Sequence, residues 1–225
     1  MTALTTETAP PYNRREMSVD ETAAANAIRR QEERLQRDPS SLAFAQLADL
    51  YRKAGRSAEA VALCRQGLGR YPHYATARLI LAKALVAEGR PDEALAEIER
   101  ILEASPRDVQ SHRLAAEVHR RAGRIDAAVQ HLQAAVRLDP ADRESRAMLA
   151  LLHPDDQTAP EDSGVARVLA DDTFVTSAFG ALCLEQGLVD EAALVFTRIL
   201  RKDPSNSAAR DGLEQAFRAR LRRKG

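Results

Sequence analysis

The sequence has no tryptophan, only two cysteines in 225 residues, and aromatic residues at 4% of its length. Its charges cancel, with 33 Lys and Arg facing 33 Asp and Glu. Each shortage excludes a class. Two distant cysteines, Cys64 and Cys183, give neither a disulfide framework nor metal-ligand spacing, and they fit a reducing compartment. Zero net charge argues against a generic nucleic-acid or anionic-membrane binder, which carries a large basic excess. No stretch approaches the ~18 apolar residues of a membrane span; the best candidate, residues 79–86, contains Lys83. Residues 1–18 hold no apolar run, so no secretory signal is expected there. What is present is a hydrophobic fraction of 44%. That is too high for a wholly disordered chain and enough, at this length, for a substantial core. Arginine outnumbers lysine 29 to 4, which reads as GC-rich bacterial coding.

Three columns of residues share one period. Glycines stand at 55, 89 and 123, alanines at 60, 94 and 128, and prolines at 72, 106 and 140, all in steps of 34. A fourth set, Gly187, Ala192 and Pro204, keeps the same internal offsets but starts 64 residues after the third. The units run 41–74, 75–108, 109–142 and 173–206. Each reads as two helices. In the first, Phe44, Leu47, Ala48 and Tyr51 form the i, i+3, i+4, i+7 stripe of an amphipathic helix. In the second, Ala60, Cys64, Gly67 and Leu68 repeat it. Gly55 falls where a helix ends in a left-handed residue, and Pro72 ends the second helix. Ala48, Ala82, Ala116 and Gly180 share one small place, and Ala60, Ala94, Ala128 and Ala192 another. Small residues at both let the two helices approach closely; a larger side chain would overpack the contact by ~1–3 kcal/mol.

This pattern resembles the tetratricopeptide repeat (TPR) family. Its signature has a large residue at unit place 4, Leu at 7, a small residue at 8, aromatics at 11 and 24, Ala at 20 and 27, and Pro at 32. The first unit sets Phe44, Leu47, Ala48, Tyr51, Ala60, Cys64, Gly67 and Pro72 against it. The last sets Thr176, Phe179, Gly180, Cys183, Ala192, Phe196, Ile199 and Pro204. The small and turn places match throughout, while the aromatic places often do not. The resemblance covers residues 20 to 220. It implies an all-α, right-handed superhelical solenoid of helix-turn-helix hairpins with a C-terminal capping helix.

The rest of the chain fits around the units. Residues 1–17 are expected to be disordered. Residues 18–40 read as an N-terminal helix, half a repeat, with Ser18 and Glu21 as a capping box. Residues 143–172 are a degenerate repeat or a linker. A first helix, 143–152, precedes the His153-Pro154 break, the acidic stretch 155–164 and a stunted helix at 165–170. If this segment is a linker, 173–225 is a separate small module. Residues 207–225 form a capping helix and basic tail, six basic residues against two acidic.

By resemblance, the stack curves and its first helices line a concave groove that holds extended or helical peptides. The groove places hold Leu42, Ala45, Asp49, Arg52 and Lys53 in the first unit. They hold Thr76, Leu79, Lys83, Val86 and Ala87 in the second, and Gln110, Arg113, Glu117, Arg120 and Arg121 in the third. Tyr74 lies beside them. Six cations against two carboxylates leave this face at +4. The expected occupant is a peptide segment of a partner protein, acidic or C-terminal. Arginine would grip its carboxylates, and Leu79, Val86 and Tyr74 would anchor apolar side chains. The alternative is a solvated face that simply carries charge. Two specialisations of the family are missing. Where the clamps for heat-shock chaperone C-termini have Lys, Asn and Arg, this chain has Ala45, Asp49, Ile80, Gln110 and Leu114. It also lacks an asparagine ladder, having only Asn13, Asn26 and Asn206.

No enzyme, cofactor or metal site is expected. His112 and His119 are seven apart at packing places, whereas ligand pairs on helices sit three or four apart. Cys64 and Cys183 occupy apolar stripes, as buried small hydrophobes do. There is no phosphate-binding loop, zincin motif or nucleophile elbow. The functional expectation is a scaffold or adaptor in a bacterial cytoplasm. The alternatives are a cytosolic accessory of a membrane-associated secretion or pilus assembly, and weak anionic-surface or nucleic-acid binding through the basic tail. The acidic stretch 155–172 is a candidate internal competitor for the groove or tail.

Overall fold

A computed structural model describes residues 19–152 and 175–223. Among these residues the chain forms eleven helices and no strand. A first helix, α1 (Val19–Arg37), precedes three hairpins: α2 (Ala43–Lys53) with α3 (Ser57–Arg70), α4 (Ala75–Ala87) with α5 (Pro91–Ala104), and α6 (Val109–Arg121) with α7 (Ile125–Leu138). Then come α8 (Arg143–Leu152), the hairpin of α9 (Ser177–Glu185) and α10 (Val189–Lys202), and a last helix, α11 (Ser207–Arg223). The expected disordered N-terminus (1–17), the capping box at Ser18, the helix break, acidic stretch and stunted helix within 153–172, and the final two residues of the tail lie outside the described residues.

One local device turns every hairpin. Gly55, Gly89, Gly123 and Gly187 all have φ between 72° and 77°, the left-handed region that glycine enters without steric cost. At the first turn, Gly55 N–H donates to Arg52 O (3.1 Å) and Arg56 N–H to Tyr51 O (2.8 Å). The pair satisfies two carbonyls that the helix end leaves open. The same two bonds recur at the other three turns. Three of the helices that follow a unit are capped by its last residue. Asp108 accepts from Ser111 N–H (2.9 Å), Asp142 from Ser145 N–H (3.2 Å) and Asn206 from Ala209 N–H (2.9 Å). These residues stand at place 34 of their units. The equivalent residue of the first unit is Tyr74, and α4 has no side-chain cap.

The small places close the hairpins. Ala48, Ala82, Ala116, Ala60, Ala94, Ala128 and Ala192 are completely buried. At three of the helical glycines, Gly67, Gly180 and Gly212, a phenylalanine fills the space. A Cβ on Gly180 would lie 2.6 Å from the Phe196 ring, and one on Gly67 would lie 2.2 Å from Phe44. In the other units alanine at place 8 shares a buried cluster with Cys64, Ile98 or Leu132, each smaller than Phe196. Helix separation is thus set by paired volumes.

The core is continuous between the helices on either side of residues 153–174. Val129 and Leu132 of α7, Met148 and Leu152 of α8, and Phe196, Leu200 and Leu213 of α10 and α11 belong to one buried cluster. Arg201 Nε donates to Asp126 (3.0 Å), and the backbone carbonyl of Pro204 abuts Gly123. The last hairpin therefore packs directly on the third.

Candidate functional site

The first helices α2, α4, α6 and α8 present two clefts. The N-terminal cleft, of about 610 Å³, lies between α1, α2 and α4. It is lined by Ala27, Arg30, Gln31, Ala45, Gln46, Asp49, Leu50, Tyr74, Thr76 and Ile80. The central cleft, of about 280 Å³, is lined by Lys83, Gln110, Arg113, Leu114, Glu117, Leu132, Glu144, Ser145 and Met148.

Of the residues the repeat register points to, Ala45, Asp49, Tyr74 and Thr76 line the first cleft. Lys83, Gln110, Arg113 and Glu117 line the second. Ala45 is buried and contributes floor rather than a reaching side chain. Leu42, Arg52, Lys53, Leu79, Val86, Arg120 and Arg121 line neither. Leu42 stands exposed before α2, and Val86 packs on the core cluster beneath α4. Tyr74 sits edge-on to Phe44, 5.8 Å between ring centroids, which fixes its ring at the cleft wall.

Charge is the main correction. Asp49 holds both Arg52 (2.8 Å) and Lys53 (2.7 Å). Burial pushes its carboxyl up, but hydrogen bonds from Lys53 and Arg52 outweigh burial and hold it below its ordinary value. Glu117 holds Arg121 (2.5 Å) and Arg120 (2.9 Å). Arg113 reaches Asp142 (3.5 Å) and is in close contact with Glu144. Arg120 is not a groove cation at all. It is 4% exposed, donates to Glu214 of α11 (2.7 Å), and lies over the Phe217 ring at 5.2 Å. The physical reason is the docking of the last helix, which covers this end of α6. Counting Asp142, Glu144 and Glu214 brings five carboxylates to the six cations, so the apparent excess of four shrinks to one. Lys83 and Arg30 have no carboxylate partner among the described residues.

The register did not number Arg30 and Gln31, because α1 is not a full unit. Gln31 Oε1 is buried without a hydrogen-bond partner among the described residues, and burying such an atom costs free energy. Leu114, Leu132 and Met148 supply apolar lining that helical periodicity assigns to the core. Both thiols are buried, and burial, with the Asp49 charge, pushes Cys64 up to about 12. No helix among the described residues is long and apolar enough to cross a membrane.

Comparison with known proteins supports the repeat. One family model, described as a tetratricopeptide repeat, matches residues 51–118; a second, described likewise, matches residues 109–152. No curated protein matches. Among solved structures, the residue 41-to-end form of MamA from Desulfovibrio magneticus RS-1 is similar over 60% of this chain and 77% of its own, at 18% identity and TM-score 0.54. A thermophilic TPR protein from Thermus thermophilus is similar over 87% of this chain and 91% of its own, at 21% identity and TM-score 0.52. YrrB, described as a TPR protein with an unusual peptide-binding site, is similar over 84% of this chain and 83% of its own, at 14% identity and TM-score 0.50. The left-handed glycine turns, the paired small places and the two matching repeat models lead to one assignment: residues 51–152 carry tetratricopeptide repeats, within an all-α fold shared with TPR solenoid structures.

Proposed function

We propose that this protein is a protein-interaction scaffold, located in the cytoplasm, that holds a peptide segment of a partner across the N-terminal and central clefts. Tyr74 carries the reading. At its place the other units have Asp108, Asp142 and Asn206, each capping the next helix. Replacing a cap by a residue that cannot cap costs ~1 kcal/mol. Local rules are broken where function needs it, and here the cap is traded for an aromatic wall on the larger cleft. The volume of that cleft, about 610 Å³, accommodates several side chains.

The lining sets the peptide's character. Ala27, Leu50, Ile80 and Tyr74 favour apolar side chains. Arg30 and Lys83, without a carboxylate partner among the described residues, favour a carboxylate near either end of the segment. The occupant is therefore mostly apolar with one or two acidic groups, less acidic than the six groove cations alone suggest. The fold shared with YrrB, a protein described as having a peptide-binding site, is compatible with this.

Tyr74→Asp separates the two roles of the position. It restores a cap and is expected to leave stability unchanged or raised, while weakening partner capture several-fold. Photo-crosslinking groups at Thr76 and Gln110 should capture the same partner peptide. Groups on the outer residues Glu99 and Arg100 should not. Equal capture from both faces, or undiminished capture by Tyr74→Asp, would reject the groove.

A further inference from the structure

Three histidines meet inside the third hairpin: His119 at a place where the repeat signature asks for an aromatic, His112 where it asks for a large residue, and His131 one residue before the second aromatic place. His112 and His119 lie seven apart on α6, and His131 comes between them from α7. The His112 and His131 ring centroids are 5.4 Å apart, and His119 stacks on His131 at 5.5 Å with the rings 14° from parallel. His112 Nδ1 and His131 Nδ1 are 3.1 Å apart, and His112 Nε2 is 3.1 Å from Pro106 O.

The proton positions follow from what each group can do. A carbonyl only accepts, so His112 carries its proton on Nε2 and donates it to Pro106. Its Nδ1 is then a lone pair, and His131 Nδ1–H donates to it. This arrangement exists only while the pair is short of its full complement of protons. A second proton on His112 would set two N–H groups against each other unless His131 moved its own to Nε2. His119 Nδ1 is buried with no partner, so an added proton there would find no acceptor. Among the described residues no group of three His, Cys, Asp or Glu could hold a metal ion.

We propose that the His112–His131–His119 stack is a proton-operated latch: neutral, it holds α6 against α7; protonated, it loosens the third hairpin. The consequence reaches the groove, because the other face of α6 carries Arg113 and Glu117 to the central cleft and Arg120 to the last helix. The charged neighbours do not cancel the effect. Glu99 of α5 favours a charged His131, but burial, followed by His112 and His119, outweighs it and pushes His131 down from 6.5 to about 4. Burial and Arg124, which precedes α7, lower His119 against the opposing pull of Asp92 on α5.

The sign follows by linkage. Between 6.5 and about 4 the unfolded chain binds a proton at His131 that the folded chain refuses. Stability is therefore full above 6.5, falls as the pH drops through that window, and levels off below it. The whole displacement corresponds to about 300-fold in the folding equilibrium. Solvent at these half-buried rings reduces it toward about tenfold.

The test follows the full chain in three ways. Imidazole resonances are titrated by NMR in the folded and urea-unfolded states. Unfolding is measured from pH 7.5 to 4.5 for wild type, His131→Phe and His131→Gln. Hydrogen exchange, corrected for intrinsic rates, is compared at both ends of that range. The expected result is a His131 signal that titrates at least one unit lower in the folded chain. Wild type should show a steeper loss of stability on acidification than either variant, and acid-induced loss of protection should concentrate in residues 109–138. The glutamine variant keeps the measurement available if phenylalanine overfills the site. Folded histidines that titrate like unfolded ones, or identical pH slopes in wild type and in the variants that fold, would overturn the latch.

Discussion

Gly180→Ala should destabilise this protein although it removes a glycine from a helix. In a helix interior glycine costs roughly 0.5–1 kcal/mol relative to alanine, so the substitution should help where space is open. At Gly180 it is not open. The new Cβ would lie 2.6 Å from Cε1 and Cζ of Phe196, and a Cβ on Gly212 would meet the same ring at 2.3 Å. Phe196 is 1% exposed, so the ring has little room to retreat. Overpacking of this kind costs ~1–3 kcal/mol. Set against the propensity gain, the net loss is about 1 kcal/mol, or ~2–4 °C in melting temperature for a chain of this size. Gly69→Ala is the matched control, because nothing lies within 4 Å of its would-be Cβ, and it should stabilise. Phe196→Leu alone should cost about 1 kcal/mol through the space it leaves. The double variant Gly180→Ala/Phe196→Leu recreates the Ala116–Leu132 pairing of the third unit and should lose less than the sum of the singles by about 1–2 kcal/mol. Urea unfolding followed by far-UV circular dichroism measures all four. A gain in stability for Gly180→Ala as large as that for Gly69→Ala, or strictly additive singles, would refute the paired-volume account.

Arg120→Met should cost about 3 kcal/mol, the low end for breaking a buried pair, because Glu117 and Glu214 still reach water. It should also speed proteolysis within α11, and adding Glu214→Leu should recover part of the loss; urea midpoints and limited digestion report both. Gly123→Ala should cost more than Gly89→Ala in the same unfolding assay. Both carry the left-handed penalty of ~1–2 kcal/mol, but only at Gly123 would the Cβ meet Pro204 O, at 2.3 Å. With its thiol pushed up to about 12 by burial and the Asp49 charge, Cys64 should alkylate far more slowly at pH 8 in the folded chain than in urea. Mass spectrometry of Cys64 peptides checks this.

The features legible in the sequence are those that one residue enforces by itself. A turn that needs φ near +75° selects glycine, and a close helix approach selects alanine, so both appear as columns in the 34-residue period. Groove charge is different, because it depends on what comes near. Arg113 is neutralised by Asp142 and Glu144 at the start of α8, and Arg120 by Glu214, nearly a hundred residues further on. No spacing rule anticipates that second contact, since it depends on how the last hairpin docks. Two further features are legible in the sequence. Tyr74 departs from Asp108, Asp142 and Asn206 at one place of the period, a signal that needs only the column to be read. His131 lies at the helix-pairing distance from both His112 and His119 once α6 and α7 are folded against each other.

These departures give the groove a direction. At its C-terminal end the chain fills its own site: Glu214 occupies the guanidinium of Arg120, and Phe217 lies against it. Ala209, Leu213 and Ala216 bury α11 in the core, so this contact is part of the fold and a partner cannot displace it cheaply. At the N-terminal end the chain does the opposite. It gives up a helix cap at Tyr74, buries Gln31 Oε1 without a partner, and leaves Arg30 unpaired among the described residues. Both costs fall around the larger cleft, and neither recurs at Arg120. Under the proposed function, a partner segment would gain most by seating on α1, α2 and α4 and extending toward Lys83. In that reading its carboxylates would go to Arg30 and Lys83, which have no carboxylate partner among the described residues, because the remaining cations of the groove already hold their own.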